Sequence, residues 1–361
     1  MAELPKSIGW IGLGLMGYPM ALNLVKKMDE DTQFYVFDVV KESVERIVAE
    51  DGGRVHACGN SKEVADKSDL IISMVPEGSH VKSVYLDSSS GVIASTSIPK
   101  FLIDCSTIDT ASSNLVRSTF QSHFPSTTFY DSPVSGGVKG AEAGTLTFML
   151  GCSNTSSDLP LLHEILSLMG KPSSIFAAGG PSLGLTAKLC NNYCSGLIAI
   201  AVSEAMNLGI KSGMDPRVLA NIFHTSTAQS SICDDWCPVP GICPDAPASK
   251  GYEGGFRVEL MKKDFGLAVE AAKEKGVGLA LGEKGLGVYE GACGDERCKG
   301  KDSRVVYRFL GGKEEWNADG RFEEKVEMRR DETRALLKRA REMDDERKND
   351  VGRTDKARNI M

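Results

Sequence analysis

The sequence lacks several features that would assign the protein to other classes. No apolar run approaches about 20 residues without a charge, so we expect no membrane span. Lys and Arg number 42 against 49 Asp and Glu, and the resulting net charge of −7 argues against nucleic acid as a main partner. Residues 1–6 run directly into a strand pattern at Ser7, which leaves no room for a targeting presequence.

The ten cysteines lack the spacing and the histidine neighbours of a metal site. No CxxC pair occurs, so we expect free thiols in a reducing compartment and no bound metal. Cys190 and Cys194 lie in a long apolar stretch, and this predicts that both are buried as small apolar side chains.

The first chemical signal is a glycine-rich loop between a strand pattern and a helix pattern. The loop follows the apolar residues 7–11 and consists of Gly12, Leu13, Gly14, Leu15, Met16 and Gly17. Its glycines permit a tight turn and a close approach of the backbone to a pyrophosphate. A second strand pattern, residues 33–37, ends in Asp38, whose carboxylate can bind both ribose hydroxyls of NAD and repel a 2′-phosphate. The alternative is that Asp38 is a solvated strand-end residue.

Strand and helix patterns continue to alternate, which is typical of a doubly wound α/β fold with a mostly parallel sheet. Ligands in such folds bind beyond the carboxyl ends of the strands. Val75-Pro76, Ser106-Thr107 and Ser135-Gly136-Gly137 each follow a strand pattern, so we expect all three to face one crevice. The last of these can bind an anion through exposed amides and the Ser135 hydroxyl. The alternative is a glycine-rich turn without a binding role, which would have the same sequence.

Residues 183–209 form the longest helical pattern without a proline. Lys188 and Asn192 are spaced i, i+4 in its first third and can point into one cleft. An unpaired lysine in a buried helix is costly, so the residue indicates either a function or a side chain that reaches solvent past the helix end.

These residues together resemble the β-hydroxyacid dehydrogenase family, most closely its 3-hydroxyisobutyrate dehydrogenase branch. The matching segments cover roughly residues 7–310 and are GLGLMGYPMALNLVKK (12–27), DCSTIDT (104–110), DSPVSGGVKGAEAGTLTFMLG (131–151), GLTAKLCNN (184–192) and LMKKDFGLA (260–268). The resemblance implies an NAD-binding Rossmann-type domain over residues 5–180 and an all-α substrate and dimerisation domain over residues 181–312. It also implies a homo-oligomer, either a dimer or a tetramer.

The resemblance also implies roles for individual residues. Lys188 matches the catalytic lysine, Asn192 the substrate-orienting asparagine, and Ser135-Gly136-Gly137 the substrate-carboxylate motif. Four further residues match positions that line or close over the dinucleotide: Val75, Pro76, Thr107 and Lys263.

The implied activity is NAD-dependent oxidation of 3-hydroxyisobutyrate to methylmalonate semialdehyde. A reductase of a related semialdehyde or imine is an alternative, as is a non-catalytic dinucleotide-binding interaction protein. The branch usually has Gly-Arg-Cys-Trp where this chain has Ala228-Gln-Ser-Ser231, and this departure leaves the choice of 3-hydroxy acid open. The branch is usually mitochondrial in eukaryotes, whereas no presequence is visible here, so either the start is incomplete or this copy is cytosolic. Residues 313–361 are more than half charged and fit either a solvated helix or a disordered tail.

Overall fold

The computed structural model describes residues 4–316, so the predicted tail lies, from residue 317 onward, outside the described residues. Residues 4–314 fall in one compact unit. The described strands are β1 Ser7–Ile11, β2 Gln33–Phe37, β3 Val55–Ala57, β4 Leu70–Ser73, β5 Phe101–Asp104, β6 Thr128–Asp131, β7 Val134–Ser135, β8 Leu146–Leu150 and β9 Gly170–Ala177.

Helices alternate with these strands as far as β9 and then follow one another. They are α1 Gly17–Lys27, α2 Lys41–Glu50, α3 Ser61–Asp66, α4 Gly78–Leu86, α5 Thr110–His123, α6 Gly137–Ala143, α7 Leu159–Ser167, α8 Leu183–Lys211, α9 Pro216–Thr225, α10 Ser231–Asp234, α11 Val258–Glu274, α12 Gly282–Gly294 and α13 Val306–Phe309. Three short 3₁₀ helices accompany them, at Val92–Ala94, Pro247–Lys250 and Ser303–Val305.

The main sheet has six parallel strands in the order β3-β2-β1-β4-β5-β6. Strand β1 is central, and its Ile8 lies in register with Phe34 on one side and Leu70 on the other. Ile8, Phe34 and Leu70 are all buried, because helices cover both faces of a parallel sheet. The order reverses between β1 and β4, which places a crevice at the carboxyl ends of these two strands. The predicted doubly wound α/β fold with a helical C-terminal part is confirmed.

A second, three-stranded sheet follows the main one. In it, β8 pairs antiparallel with β7 and parallel with β9. The alternation of apolar residues in β8 predicts a strand but does not reveal that the chain leaves the main sheet. This small sheet packs beside the start of α8, where a Cβ on Gly184 would lie 2.1 Å from the carbonyl oxygen of Met149.

Helix α8 is the long helix that the sequence predicts, and it has 29 residues. Within the described residues it is the one helix long and apolar enough to cross a membrane, with a mean hydropathy of 1.4. Core helices of globular proteins have the same composition, and α8 packs against α11 and β8. The predicted burial of Cys190 and Cys194 is wrong, because both lie on the exposed face of the helix. Apolar composition on every side of a helix does not show which side faces outward.

The C-terminal helices pack around aromatic side chains. Phe265 of α11 occupies space that glycines leave open, since a Cβ on Gly196 would lie 2.8 Å from its ring and one on Gly285 would lie 2.6 Å away. Tyr289 of α12 donates a hydrogen bond from its hydroxyl to the carbonyl oxygen of Gly196 at 2.9 Å. These contacts fix α11 against α8, the two helices that carry the residues of the site described next.

Candidate functional site

The glycine-rich loop between β1 and α1 is tightly packed at Gly12 and Gly17 and leaves its backbone accessible at Gly14. Gly12 has φ +96°, and a Cβ there would lie 2.2 Å from the carbonyl oxygen of Met74. A Cβ on Gly17 would lie 2.0 Å from the carbonyl oxygen of Gly12, so both glycines are needed for close packing. No protein atom lies within 4 Å of a Cβ placed on Gly14. At Gly14 the loop therefore leaves room for a ligand to approach the backbone at the start of α1, which fits a dinucleotide pyrophosphate.

Asp38 lies beside this loop, as the sequence predicts. Its Oδ2 accepts a hydrogen bond from the amide of Leu13 at 2.5 Å, and its Oδ1 accepts one from the amide of Val40 at 2.7 Å. The carboxylate thus joins the end of β2 to the loop after β1. Val39 beside it is 86% exposed, and Val40 is also exposed, so the two residues that follow the acid are an apolar surface without a cation.

A buried polar network fixes the ends of β4 and β5, from which Val75-Pro76 and Thr107 follow. Asp104 Oδ1 accepts hydrogen bonds from the hydroxyl of Ser73 at 2.8 Å and from the hydroxyl of Ser106 at 2.6 Å. The Ser106 hydroxyl oxygen in turn accepts a hydrogen bond from the amide of Val75 at 2.9 Å. Burial raises the pKa of Asp104 to about 6, against the lowering effect of these hydrogen bonds.

Lys263 of α11 reaches across to this strand edge. Its Nζ donates to the carbonyl oxygen of Thr107 at 2.6 Å and to that of Pro76 at 3.0 Å. A second lysine connects the two parts of the chain elsewhere, since Lys139 Nζ donates to the carbonyl oxygen of Asp245 at 3.3 Å. The structure therefore brings Lys263 together with Pro76 and Thr107, three residues that the family resemblance assigns to one cofactor site.

Lys188 of α8 is buried, with 8% of its surface exposed. Burial lowers its pKa to about 8, because desolvation disfavours the ammonium form. The negative charge of Asp264 opposes this shift, and the positive charge of Lys263 adds to it. A lysine in this environment changes protonation state near neutral pH, which suits proton transfer.

Asn192 lies one turn after Lys188 and donates from Nδ2 to Asp264 Oδ2 at 2.6 Å. The other carboxylate oxygen of Asp264 lies 3.1 Å from Lys263 Nζ, close enough for an ion pair but without the alignment of a hydrogen bond. Asp264 was not predicted as a site residue. It lies on the buried face of α11 with Met261 and Phe265, and an acid among apolar residues at that spacing is the signal that could have identified it.

Ser135, Gly136 and Gly137 form the turn from β7 into α6. Gly136 and Gly137 both have positive φ, at +136° and +62°, and the position of a Cβ on Gly137 meets no protein atom within 4 Å. Consecutive residues of this kind turn their amides toward one side, where an anion can bind. Strand β8 connects this turn to the helix of Lys188, because its Thr147 pairs with Ser135 and its Met149 packs against Gly184 at the start of α8.

Among residues 4–316, no three His, Cys, Asp or Glu side chains are grouped closely enough to hold a metal ion. The ten cysteines, all of which lie in that range, are free.

Two family models match consecutive parts of the chain. The first is described as the NAD binding domain of 6-phosphogluconate dehydrogenase and matches residues 7–180. The second is described as the NAD-binding region of NADP-dependent 3-hydroxyisobutyrate dehydrogenase and matches residues 183–310.

Individual relatives agree with these models. The chain is 44% identical over 307 residues to "Probable 3-hydroxyisobutyrate dehydrogenase, mitochondrial" of Dictyostelium discoideum, covering 84% of this chain and 91% of that protein. It is 37% identical to "NAD-dependent L-serine dehydrogenase" of Pseudomonas aeruginosa, covering 79% and 91%. Among solved structures, the Mycobacterium tuberculosis 3-hydroxyisobutyrate dehydrogenase with L-serine matches with a TM-score of 0.76 at 31% identity, covering 85% of this chain and 99% of that one.

Proposed function

Because the chain belongs to the 3-hydroxyisobutyrate dehydrogenase family of oxidoreductases, we propose that it oxidises 3-hydroxyisobutyrate to methylmalonate semialdehyde with NAD, a step of valine breakdown. The observation that carries the proposal is Lys188, a buried lysine whose pKa of about 8 suits a general base, one helical turn before the Asn192–Asp264 pair. This arrangement combines a group that accepts a proton with a group that orients the hydroxyl that loses it.

The proton transfer takes place at Lys188. Neutral Nζ accepts the proton of the substrate hydroxyl as the carbon–oxygen bond becomes a carbonyl, and the ammonium returns a proton in the reverse reaction. When bound, NAD supplies the acceptor for the hydride that leaves the same carbon. The carboxylate of Asp264 stabilises the ammonium form of Lys188, so the charge that develops on the base is balanced nearby.

Asn192 orients the substrate. Its Nδ2 donates one hydrogen to Asp264, and its Oδ1 accepts a hydrogen bond from Asn191 Nδ2 at 3.1 Å. The second hydrogen of Nδ2 can donate to the oxygen of the substrate hydroxyl, which leaves the hydroxyl proton to Lys188. The backbone amides of Gly136 and Gly137 and the hydroxyl of Ser135 bind the substrate carboxylate, so that the substrate is held at both ends.

We assign NAD rather than NADP as the cofactor. Asp38 places a negative charge where a 2′-phosphate would lie, and Val39 and Val40 offer it no cation. Lys263 closes over the cofactor by its hydrogen bonds to the carbonyl oxygens of Pro76 and Thr107. We place the cofactor domain over residues 5–180 and the substrate domain over residues 181–312.

L-Serine is a second candidate substrate. A relative carries L-serine dehydrogenase in its name and a solved relative is titled with L-serine. L-Serine and 3-hydroxyisobutyrate are both 3-hydroxy acids, and they differ in an ammonium or a methyl group at carbon 2. The segment that departs from the usual pattern, residues 228–231, is polar here. Its Gln229 donates to Asp234 at 2.5 Å, and the nearby His224 hydrogen-bonds to the same carboxylate at 2.9 Å.

We also propose that the protein is a homo-oligomer. An exposed stripe of small and apolar residues runs along α8 at spacings of three and four: Cys190, Cys194, Ile198, Ala201, Ala205 and Leu208. A second chain that covers this stripe would remove apolar surface from water. An Ile198→Asp variant should shift the mass measured by light scattering toward the monomer.

A substrate panel tests the proposed activity. The purified protein is incubated with NAD or NADP and with 3-hydroxyisobutyrate, L-serine, glycerate or 4-hydroxybutyrate, and NAD(P)H absorbance is followed. We expect the highest kcat/KM for 3-hydroxyisobutyrate with NAD and a semialdehyde product. A higher kcat/KM for L-serine would select the second candidate, and no turnover of any hydroxy acid would contradict both.

A further inference from the structure

Asp131 ends β6 with a buried carboxylate that the proposed mechanism does not use. Its Oδ1 accepts a hydrogen bond from the amide of Ser182 at 2.7 Å, and its Oδ2 accepts one from the amide of Leu185 at 2.9 Å. These amides belong to the first turn of α8, which has no acceptors of its own for them. Ser182 occupies the N-cap position with φ +62°, and its side chain makes no capping hydrogen bond. The cap of the long helix is therefore supplied by a residue 51 positions earlier.

Two glycines beside this carboxylate leave the space that it occupies. A Cβ on Gly151 would lie 2.0 Å from Asp131 Oδ1, and a Cβ on Gly184 would lie 2.8 Å from Oδ2. The amide of Gly151 also donates to the carbonyl oxygen of Asp131 at 2.7 Å. Asp131 thus joins the end of β6, the end of β8 and the start of α8 at one point.

These three elements connect to the two parts of the proposed substrate site, the base Lys188 and the carboxylate-binding turn at Ser135. Lys188 follows Leu185 by three residues, less than one helical turn, so any shift of the first turn of α8 moves its Cα as well. In the other direction, the chain runs from Asp131 to Ser135 in four residues, and Ser135 pairs with Thr147 of β8. The Asp131 carboxylate therefore lies at the junction between the elements that carry Ser135-Gly136-Gly137 and the helix that carries Lys188.

We infer that Asp131 is a positioning residue that fixes Lys188 relative to Ser135-Gly136-Gly137. It caps α8 through two backbone amides and sets the distance between the base and the bound carboxylate of the substrate. This inference rests on the proposed function, because it assumes that Lys188 is the base. A carboxylate at a helix N-terminus also interacts favourably with the helix dipole, which helps to keep Asp131 ionised in its buried position.

The test is a double-mutant cycle between Asp131→Asn and Lys188→Ala. Asparagine keeps the shape of the side chain but turns an NH₂ group toward one of the two amides, so one hydrogen bond is lost. We expect Asp131→Asn to lower kcat about 10-fold when Lys188 is present, since small displacements of catalytic groups cost about this much or more. In the Lys188→Ala background the same change should lower kcat less than about 2-fold, because no base remains to be displaced.

Gly184→Ala is the second variant, and the thermal unfolding of both variants is compared with that of wild type to establish that each is folded. Its Cβ would clash with the Met149 carbonyl oxygen and with Asp131 Oδ2, so it displaces the helix start relative to a carboxylate that the variant retains. It should show the same dependence on Lys188. Asp158→Asn is the control, because it neutralises the carboxylate that accepts a hydrogen bond from the Tyr130 hydroxyl in the same domain, and kcat should stay within about 2-fold.

Equal losses of kcat in both backgrounds would overturn the inference, as would unchanged kcat in Asp131→Asn with Lys188 present. Failure of the proposed function would give a different result. Lys188→Ala alone would then retain near-normal turnover, with either Asp or Asn at position 131.

Discussion

Asn192 and Asp264 form a buried pair across two helices, with Asn192 Nδ2 donating to Asp264 Oδ2 at 2.6 Å. The pair links α8, which carries Lys188, to α11, which carries Lys263. The negative charge of Asp264 raises the pKa of Lys188, whereas burial and Lys263 lower it. The protonation state of the proposed base is therefore set jointly by two helices.

The rate of oxidation should depend on pH through Lys188. Because the base must be neutral, kcat/KM for oxidation should rise with pH and level off above a midpoint near 8. The reverse reduction needs the ammonium form and should fall above the same midpoint. In Asp264→Asn the midpoint should move to lower pH, since the charge that raises the pKa of Lys188 is gone. Initial rates measured in both directions across pH 6–10 test this (about four pH units bracket the midpoint). A pH-independent rate would contradict the role of Lys188.

Removal of the Lys263 side chain should have two separable effects. Its hydrogen bonds to the carbonyl oxygens of Pro76 and Thr107 are lost, so the KM for NAD should rise about 10-fold, as expected for hydrogen bonds from a charged donor. Its charge lowers the pKa of Lys188, so the midpoint of the pH profile should rise. Lys262→Ala, at the preceding position of α11, is the matched control and should leave both quantities unchanged. An unaltered KM for NAD in Lys263→Ala would exclude the closing role.

Cofactor preference should follow the charge at the end of β2. Asp38 also holds the amides of Leu13 and Val40, so replacing it by arginine alone would disturb the loop. Asp38→Asn combined with Val39→Arg keeps an acceptor for one amide and adds a cation at an exposed position. We expect the ratio of kcat/KM for NADP to that for NAD to rise about 100-fold or more, since a repulsion becomes an attraction. An unchanged ratio would mean that Asp38 does not bind the ribose hydroxyls of the cofactor.

Asp104 should make the free energy of unfolding fall as pH rises. Its folded-state pKa of about 6 is above its ordinary value of 3.8, so the folded protein holds this proton more tightly than the unfolded chain does. The stabilisation is complete below pH 3.8 and is lost as pH rises through 6, a change on the order of 2–3 kcal/mol. Asp104→Asn should therefore gain stability relative to wild type between these pH values, because its Oδ1 keeps the same donors.

Urea denaturation at several pH values measures this difference. Asp31→Asn, a change at an exposed carboxylate, is the control and should parallel wild type. A difference between Asp104→Asn and wild type that stays constant with pH would contradict the assignment.

Local patterns predicted the backbone that carries the proposed cofactor residues well. The strand, loop, helix and acid from Ser7 to Asp38 are contiguous, and the structure places Asp38 against Leu13 as the spacing indicates. The hydrogen bonds that organise the proposed substrate half of the site join residues far apart in the chain. Asp264 lies 72 residues from Asn192, and no periodicity in either helix encodes that contact.

Two limits of the sequence pattern have physical causes. Cys190 and Cys194 lie in a helix that is apolar on nearly every side, so composition could not show that this side is exposed. The departure of β8 into a second sheet depends on its pairing with β7 and β9, and an alternating strand pattern is the same in either sheet.

The central claim is that the Lys188 amine transfers the proton, and chemical rescue tests it most directly. Lys188→Ala should lower kcat about 100-fold or more while the affinity for NADH, followed by fluorescence, stays nearly intact. Lys211→Ala, in the last turn of the same helix, is the control and should leave kcat unchanged. Added ethylamine or methylamine should then restore part of the lost turnover of Lys188→Ala in proportion to the concentration of free amine. Near-normal turnover of Lys188→Ala without any added amine would contradict the account.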